Sequence, residues 1–546
     1  MTKPVWGFLA VLLLLWSMGL ATRAITRPDE GRYAEIGREM AVSGDWVTPH
    51  LNGIPYYEKP PLQYWGTAIS IDLLGPTPLA ARLWTALMGF LGILACGFFA
   101  RRLYGTMAGW NAPLILAGCF YYIALGHINT LDMGVSVWSF IAVGCFLLAQ
   151  EDSPRYWMTL AWLAAAAGFL SKGLMVLALP GGTLILYTLL TRDFSPWRRL
   201  YIFPGLPLFL LLTAPWFWLA ARVHPEFIAF FFIHEQFQRY TTTIHQRVEP
   251  FWYFLPILLA GLWPWTLSAL RAVIDALLRN HARTFSPSRF LALYALFIVA
   301  FFSLSGSKLP DYILPAFPAL ALLVGRHLSQ RPGPFPLSPP LLLVSGGGIL
   351  ALVALLLGFP SGPQALHLSL DMDPDMVPAY QHFAPWIGGA AIIALITGIG
   401  ALRLRRSIPQ GSLMTTAMGT LLVTQCLLIG SNTLADFQSG ASLAQGLSPQ
   451  FAAASHIYSV DTYDQTLDFY LQRTVIPVAY TDEMAFGMSL EPHHAIPTLS
   501  AFQGVWNADL GAVAILPPGM KERLQALGFP MHVLYQDARR VIVARS

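Results

Sequence analysis

The sequence predicts an α-helical polytopic membrane protein with a small α/β domain at its C-terminal end. Apolar residues make up 55% of the 546-residue chain and charged residues 11%, whereas soluble domains carry about 25% charged residues. Apolar windows long enough to cross a bilayer recur along residues 1–430. Residues 431–546 lose that pattern. We therefore expect a transmembrane domain at 1–430 and a separate α/β domain at 431–546.

The apolar windows number about thirteen, and each is predicted to form a transmembrane helix. They lie at residues 5–21, 79–99, 107–125, 131–149, 156–170, 173–190, 200–221, 251–270, 289–305, 312–328, 340–358, 385–402 and 412–430. No small-residue cleavage pattern follows the first window, so it is expected to be a retained anchor rather than a removed signal.

Arginine is concentrated in alternate connections between these windows. These arginines are Arg101, Arg102, Arg155, Arg192, Arg198, Arg199, Arg271, Arg279, Arg283, Arg326, Arg331, Arg403, Arg405 and Arg406. All fall on the same side as Lys3, which the positive-inside rule assigns to the cytoplasm. The loops 22–78, 222–250 and 359–384 and the C-terminal domain are therefore expected on the outer side, where no nucleotide-sugar pool is available. Any donor would therefore have to arrive already activated, most simply on a lipid.

Charge and cysteine content argue against two further classes of protein. The net charge of +4 and the absence of a long basic run do not suggest a nucleic-acid partner. All four cysteines fall inside apolar stretches. They are expected to be small core residues rather than a disulfide framework.

The C-terminal stretch alternates strand-like and helix-like segments. Residues 474–480, 511–516 and 532–544 are predicted to form strands, and 520–527 is predicted to form a helix. No catalytic pattern is evident in this stretch.

Two dense polar clusters follow the first window, at residues 27–35 and 56–61. From Asp29 onward, apolar residues recur at three- and four-residue spacing, which predicts an amphipathic helix along the membrane surface. Asp29 lies at or near its N-cap, where capping alone would contribute about 1 kcal/mol. Four further charges, at Glu30, Arg32, Glu35 and Arg38, exceed what a cap needs. This density favours a functional role for Asp29.

The second cluster contains Lys59, one of only five lysines in the chain. Pro60 and Pro61 prevent a helix from continuing through it, and Tyr56 and Tyr57 precede it. A rigidly held lysine beside tyrosines suits a phosphate placed against a sugar. The alternative is a lysine that extends to the lipid headgroups, and the scarcity of lysine favours the phosphate.

These clusters carry a family resemblance. Arg-Pro-Asp-Glu-Gly-Arg-Tyr at 27–33, followed by Tyr-Tyr-Glu-Lys-Pro-Pro-Leu-Gln-Tyr-Trp at 56–65, resembles the bacterial aminoarabinose transferases. That family belongs to the protein O-mannosyltransferase-like superfamily of polyprenyl-phosphate-dependent, GT-C type glycosyltransferases. Residues 231–240, 250–253, 264–265 and 305–315 resemble further motifs of the superfamily. The resemblance covers the membrane portion well and the C-terminal domain poorly.

The resemblance implies a reaction and a location. Such enzymes move 4-amino-4-deoxy-L-arabinose from undecaprenyl phosphate to the phosphates of lipid A, at the periplasmic face of the bacterial inner membrane. The product changes the charge of lipopolysaccharide and confers resistance to cationic peptides such as polymyxin. The expected partners are the prenyl-phosphate sugar, lipid A and membrane lipids, with no nucleic acid. No cofactor is expected to be required.

The resemblance also implies the site residues. Asp29 would be the catalytic carboxylate, and Asp132 matches a second acidic position of the superfamily, with an exposed helix cap as its alternative. Because two anionic phosphates must meet, cations are expected to line the site. The residues expected to bind substrate are Lys59, Arg32, Glu58, Tyr33, Tyr56, Arg239, Arg247, Lys308 and Tyr312. An ionised phosphate acceptor needs little proton abstraction, so Asp29 is expected to position the acceptor or the sugar amine.

Metal binding is a weaker expectation. His234, Glu235 and His245, joined by Glu58, could hold a divalent cation, although their spacing fits no established zinc pattern. The Asp371-Met372-Asp373 sequence imitates the metal motif of nucleotide-sugar transferases, but it lacks a surrounding nucleotide fold and is expected to be a solvated acidic loop.

Two alternative functions stay open at this stage. The first is a protein O-glycosyltransferase of the same architecture, in which Asp29 would deprotonate a serine or threonine hydroxyl. The second is a transporter or lipid flippase. Transporters commonly show internal repeats and charges at the membrane midplane, whereas the charges of this chain gather at the outer edge.

Overall fold

Helices dominate the computed structural model, which describes residues 3–238, 249–278, 285–331, 333–359 and 376–545. The helices of the first 430 residues are α1 (Lys3–Trp16), α2 (Asp29–Ser43), α3 (Leu62–Leu74), α4 (Pro78–Tyr104), α5 (Thr106–Ala117), α6 (Phe120–Leu125), α7 (Leu131–Glu151), α8 (Pro154–Lys172), α9 (Met175–Thr191), α10 (Ser195–Arg198), α11 (Ile202–Val223), α12 (Phe227–Ala229), α13 (Phe254–Gly261), α14 (Thr266–Leu278), α15 (Pro287–Ser303), α16 (Ala316–Ser329), α17 (Ser338–Gly358), α18 (Val377–Leu404) and α19 (Pro409–Gly430). A π-helix, Phe230–Gln238, follows α12, and a 3₁₀ turn, Pro310–Ile313, precedes α16.

Each of the thirteen predicted windows overlaps a helix or a broken pair of helices. Within the described residues, seven helices are long and apolar enough to cross a membrane. An eighth crossing is obtained if the bent pair α13 and α14 counts as one span. The multi-span membrane fold is therefore confirmed, while the count of thirteen is not.

The window 251–270 is not the single straight helix that was predicted. The helix axis bends by 108° between its two halves, α13 and α14. Pro264 lies in the break between them, and proline can neither donate to a helical hydrogen bond nor fit against the preceding turn. The bend therefore has a local cause in the sequence.

Helix α2 is buried, whereas the sequence predicted that it would lie along the membrane surface. Its two neighbours approach at glycines. A Cβ at Gly37 would lie 2.6 Å from Thr67 Cγ2 of α3, and one at Gly31 would lie 2.6 Å from the Gln465 carbonyl oxygen of the C-terminal domain. The absence of a side chain at both positions lets α3 and the C-terminal domain pack directly against this helix.

Three of the charged residues of α2 form ion pairs that stabilise the fold. Glu30 is buried and forms a bidentate ion pair with Arg82 of α4, at 2.6 and 2.8 Å. Glu35 pairs in the same way with Arg38, at 2.6 and 2.7 Å. These three α2 residues therefore stabilise the fold, and the charge density of the cluster overstates the size of the functional site.

Arg82 also binds the backbone of the segment that leads into α2. Its guanidinium also donates to the backbone carbonyls of Leu20, Arg23 and Ala24, at 2.7 to 3.0 Å. Burial by itself would raise the pKa of Glu30, but the charge and hydrogen bonds of Arg82 outweigh it and lower that pKa to about 2. The Glu30 carboxylate consequently stays ionised throughout the neutral pH range.

We expect Arg82→Met to be strongly destabilising. Removing one partner leaves the Glu30 carboxylate buried and uncompensated, which costs about 3–5 kcal/mol. Arg331→Met is the matched control, since Arg331 forms an exposed pair with Asp275 at 2.9 Å, and such pairs contribute about 1 kcal/mol or less. Thermal unfolding of the purified protein in detergent measures both. Equal melting temperatures for the two variants would contradict this account.

The C-terminal domain contains a five-stranded mixed sheet. Its strands are β3 (Ile457–Val460), β4 (Ile476–Val478), β5 (Val513–Leu516), β6 (Met531–Gln536) and β7 (Val541–Arg545), in the order β4-β3-β5-β7-β6, after the short hairpin of β1 (His50–Leu51) and β2 (Ile54–Pro55). Its helices are α20 (Ala435–Gln438), α21 (Ala441–Gly446), α22 (Ser448–Ala453), α23 (Leu467–Leu471), α24 (Ala485–Leu490), α25 (Leu499–Ala508) and α26 (Met520–Ala526). The predicted α/β character is confirmed. The stretch 532–544 forms an antiparallel hairpin of β6 and β7 rather than one strand.

The C-terminal domain packs on the hairpin that precedes α3 and on the π-helix. The side-chain amide of Asn52, in the turn between β1 and β2, exchanges two hydrogen bonds of 2.7 Å with the backbone of Val475. The ring of Phe486 stacks on that of Phe230 at a centroid distance of 3.8 Å. The two polar clusters and the C-terminal domain therefore meet at one end of the helical bundle.

Candidate functional site

A cavity of about 640 Å³ lies where the two polar clusters, the π-helix and the C-terminal domain meet. Five parts of the membrane domain contribute to its wall: the start of α2, the residues before α3, the start of α7 with the end of α8, the π-helix, and the turn before α16. The C-terminal domain adds residues 465, 482, 483, 485 and 486. This contribution was missed in the sequence because those residues lie more than 400 positions from the clusters they face.

Lys59 is a buried residue of the cavity wall. Its Nζ lies 2.6 Å from Glu235 Oε2 in the π-helix, donates to the Glu58 carbonyl at 2.9 Å and lies 3.6 Å from Glu58 Oε2. Only 5% of the residue is exposed, so the alternative of a lysine extended to lipid headgroups does not apply. The lysine is held in one place with its charge balanced by carboxylates.

Asp29 lies at the first turn of α2, on the cavity wall. Its Oδ1 accepts a hydrogen bond of 2.8 Å from Arg32 Nη1, and the other arginine nitrogen, Nη2, forms an ion pair with Glu483. Arg32 thus connects the membrane domain to the C-terminal domain. Burial raises the pKa of the Glu483 carboxyl, although the charge of Arg32 acts in the opposite direction.

Asp132 lies in the first turn of α7 and is buried, so it is not the exposed helix cap that the sequence allowed. It forms an ion pair with Lys172 at the end of α8. Lys172 Nζ also lies 4.9 Å from the ring centroid of Tyr312, and Asp311 lines the same part of the cavity. Lys172 and Asp311 were missed in the sequence. The rarity of lysine could have drawn attention to the first of them.

The remaining predicted residues fall into three groups. Tyr33, Glu58 and Tyr312 line the cavity with Arg32 and Lys59. Tyr56 and Lys308 are buried without lining it, and Lys308 donates to the carbonyls of Ser305 and Glu249 at 2.8 and 2.9 Å. Arg239, Arg247, His245 and the acidic motif at 371–373 lie outside the described residues.

The described wall is more acidic than the sequence suggested. Its carboxylates are Asp29, Glu58, Asp132, Glu235, Asp311, Asp482 and Glu483, and its lysines and arginines are Arg32, Lys59 and Lys172. A site built only to hold two phosphates would need the opposite balance. The described cavity therefore suits a ligand that carries both anionic and cationic groups.

The metal candidates of the cavity are already engaged with one another. His234 Nδ1 lies 3.3 Å from Glu235 Oε1, and the other oxygen of the same carboxylate binds Lys59. A divalent cation at this place would compete with the ammonium group for Glu235. The donor set thus fits a metal poorly among the described residues.

An apolar cavity adjoins the polar one. The two share Lys59, Asp132, Lys172, Glu235 and Tyr312, and the apolar part continues between side chains that include Val135, Met175, Leu179, Phe302 and Pro315. The apolar cavity has a volume of about 60 Å³, so the charged chamber leads into a space that suits a short stretch of hydrocarbon.

Family models match two parts of the chain. The model described as dolichyl-phosphate-mannose-protein mannosyltransferase matches residues 58–218, and the model described as aminoarabinose transferase C-terminal domain matches residues 443–545. The second match extends the family resemblance to the C-terminal domain, where the sequence motifs had indicated little.

Individual relatives give the same picture. The undecaprenyl phosphate-alpha-4-amino-4-deoxy-L-arabinose arabinosyl transferase of Erwinia tasmaniensis is 35% identical over 321 residues, which cover 58% of this chain and 57% of that protein. The crystal structure of ArnT from Cupriavidus metallidurans bound to undecaprenyl phosphate matches with a TM-score of 0.89 and 34% identity, over 100% of this chain and 99% of that one. Its apo structure gives a TM-score of 0.88 and 35% identity, over 99% and 98% of the two chains. The sequence alignment thus spans less than two thirds of the curated relative, while the structural match spans nearly all of ArnT.

Proposed function

This chain belongs to the aminoarabinose transferase family, and on that basis we propose that it transfers 4-amino-4-deoxy-L-arabinose from undecaprenyl phosphate to a phosphate group of lipid A. The observation that carries the proposal is the junction of a buried, charged chamber with an apolar space at Lys59. A prenyl-phosphate sugar has the same arrangement: a hydrocarbon chain, then a phosphate, then a polar sugar.

The donor phosphate is assigned to Lys59 and Lys172. Both ammonium groups line the two cavities where they join, and each can act on a phosphate as a compact positive charge. Leaving-group charge grows on the prenyl phosphate as its bond to the sugar breaks. Fixed cations at that point stabilise the transition state more than the ground state.

The acidic side of the chamber is assigned to the sugar. The amine of 4-amino-4-deoxy-L-arabinose is a cation at neutral pH, which carboxylates can bind through charge-assisted hydrogen bonds. The carboxylates of Asp482 and Glu483 in the C-terminal domain line the chamber. This pairing accounts for the excess of carboxylates in a site that also handles phosphates.

The reaction exchanges one phosphate ester of the sugar for another. An oxygen of the lipid A phosphate forms a bond to the anomeric carbon, and the bond from that carbon to the undecaprenyl phosphate oxygen breaks with its electron pair. Because the acceptor oxygen is already ionised, we assign Asp29 to positioning the acceptor or the amine rather than to removing a proton. We propose that side-chain cations serve in place of any metal or organic cofactor.

The proposed location is the inner membrane, with the chamber open to the periplasm and the N-terminus in the cytoplasm. It is supported by the arginine-rich connections, which contact one another away from the chamber: Arg326 lies 5.4 Å from the Tyr104 ring, and Arg405 donates to the Phe335 carbonyl at 3.2 Å. This alternation follows the positive-inside rule.

We expect cysteines at the two ends of the bundle to be labelled from different sides. Leu510→Cys in the C-terminal domain should react with a membrane-impermeant maleimide in intact spheroplasts, because Leu510 is 77% exposed. Arg331→Cys, whose native side chain is 60% exposed, should react only after permeabilisation. The unsubstituted chain is the control for its native cysteines. The reverse pattern would place the chamber in the cytoplasm and remove the proposed access to lipid A.

The activity is tested by mass spectrometry of lipid A from cells with and without this protein. We expect loss of one pentosamine unit in the cells that lack it. The match to the mannosyltransferase model at 58–218 favours the alternative of a protein O-glycosyltransferase. Incubating the purified enzyme with a labelled prenyl-phosphate sugar, lipid A and protein distinguishes the two. Label in lipid A supports the proposal, whereas label confined to protein would establish a protein glycosyltransferase instead.

A further inference from the structure

A second cluster of ionisable side chains lies at the edge of the C-terminal domain. It comprises Glu491, His493 and His494, around the 3₁₀ turn Pro492–His494, and faces His224 at the end of α11. None of these four residues is among the described residues that line the chamber. The cluster is thus separate from the proposed reaction site.

The three residues of the turn bring metal-binding atoms together. One donor atom of each lies within 4.8 Å of the others. His494 Nε2 lies 2.9 Å from Glu491 Oε2, and the two histidine rings have their centroids 4.2 Å apart. Two imidazoles and a carboxylate are a donor set that zinc accepts in proteins, with bonds of about 2.0–2.2 Å. Small side-chain rotations would complete such a site, because His493 is exposed and the other two are partly exposed.

His224 is oriented by a contact with Tyr57 that suits a fourth ligand. The Tyr57 hydroxyl donates to Thr48 Oγ1 at 3.3 Å and lies 3.0 Å from His224 Nδ1. When Nδ1 carries the ring proton, the Tyr57 oxygen accepts a hydrogen bond from it. The lone pair of the ring then lies on Nε2, which is the tautomer that a metal requires.

That nitrogen points at the cluster. His224 Nε2 lies 3.8 Å from Glu491 Oε1, whereas two ligands on one tetrahedral zinc ion lie about 3.4 Å apart, so a shift of a few tenths of an ångström would bring both onto the ion. A ligating histidine normally donates its other ring N–H to an oxygen atom, which fixes the ring for the metal. The Tyr57 oxygen supplies this outer contact for His224.

The cluster also joins three parts of the chain. A Cβ at Gly53, in the turn between β1 and β2, would lie 3.7 Å from His494 Nδ1, so this histidine packs against the hairpin. Glu491 belongs to the C-terminal domain and His224 to the membrane domain. A metal at this position would therefore fasten the C-terminal domain beside the chamber.

We propose that Glu491, His493 and His494, together with His224, bind one Zn²⁺ ion that holds the C-terminal domain on the membrane domain. An ordinary surface network of glutamate and histidine would also give the observed contacts. The convergence of His224, already oriented by Tyr57, favours a metal over such a network.

The test is zinc binding to the full-length protein, purified in detergent with its affinity tag removed and then treated with a chelator. Isothermal titration with Zn²⁺ should find a site of micromolar or tighter affinity. His493→Gln and Glu491→Gln should weaken that affinity by at least about tenfold, because the loss of an outer-shell contact alone costs about 10- to 100-fold. His493 is exposed, so its variant should fold normally. His532→Gln, an exposed histidine of β6, is the matched control and should bind as the native chain does.

Two further measurements complete the test. Zn²⁺ should raise the melting temperature of the native chain and of His532→Gln, but not that of His493→Gln. Zinc binding that is unchanged in both ligand variants would overturn the proposal. So would binding that is lost only in His234→Gln, since that result would assign the ion to the chamber instead.

Discussion

Lys59→Met is expected to lower the kcat/KM of sugar transfer by about 100- to 1000-fold, the usual cost of losing one group that stabilises developing negative charge. Methionine has a similar length and keeps the packing of the buried stem, but it cannot neutralise the leaving phosphate. Turnover of a labelled prenyl-phosphate sugar with lipid A, normalised to folded protein, measures the loss. Lys59→Arg should recover part of the activity because it restores the charge without the compact shape of an ammonium group.

Two controls separate chemistry from stability in this experiment. Lys59→Met leaves Glu235 buried without its lysine, so Lys59→Met/Glu235→Gln should regain melting temperature while staying inactive. Lys308→Met removes another buried lysine, which binds two backbone carbonyls outside the chamber wall. It should lower the melting temperature with kcat/KM within about threefold of native. Near-native turnover in the Lys59 variants would remove this lysine from the mechanism.

Asp29→Asn is expected to lower transfer by about 100-fold or more. Asparagine can still accept the hydrogen bond from Arg32, so the fold should survive, but the negative charge that positions the amine or the acceptor is lost. A residue that only caps a helix would behave differently, since its loss costs about 1 kcal/mol of stability and no activity. Steady-state kinetics and thermal unfolding of the same preparation distinguish the two results.

Asp45→Asn is the matched control for this substitution. Asp45 follows α2 and accepts from the backbone amides of Val47 and Thr48 at 2.9 and 3.0 Å, which stabilises a turn outside the chamber. Its variant should lose stability and keep activity.

The kinetic parameters of Asp29→Asn distinguish two roles of this residue. A positioning carboxylate should raise the KM for lipid A, whereas a base should change the pH dependence of kcat. Full activity of Asp29→Asn would reduce this residue to a structural partner of Arg32.

The site could be predicted from the sequence only where its residues are neighbours along the chain. Asp29 and Lys59 lie in short polar clusters, and scarcity of charge in an apolar chain drew attention to them. Lys172, Asp311 and Glu483 reach the chamber from a helix end, a 3₁₀ turn and the C-terminal domain. Nothing in their local sequence indicates that destination, because it depends on how distant helices pack.

The fold, like the site, could be predicted only where it depends on residues close together in the sequence. Helices long and apolar enough to span a bilayer were predictable from composition, since the membrane imposes that length. The burial of α2 was not, because the C-terminal domain that covers it begins hundreds of residues later. Gly31 and Gly37 were the residues in the sequence that could have indicated close packing. Their role is evident only from the structure, where Gln465 and Thr67 lie against them.

The stack of Phe486 on Phe230 links the C-terminal domain to the chemistry. Phe230 begins the π-helix that carries Glu235, and Glu235 holds Lys59. A shift of the C-terminal domain would therefore travel through one aromatic contact and a single turn of backbone to the lysine assigned to the leaving phosphate. The C-terminal domain therefore supports the position of Lys59 in the chamber wall, and its removal is expected to loosen the ammonium group that we assign to the leaving phosphate.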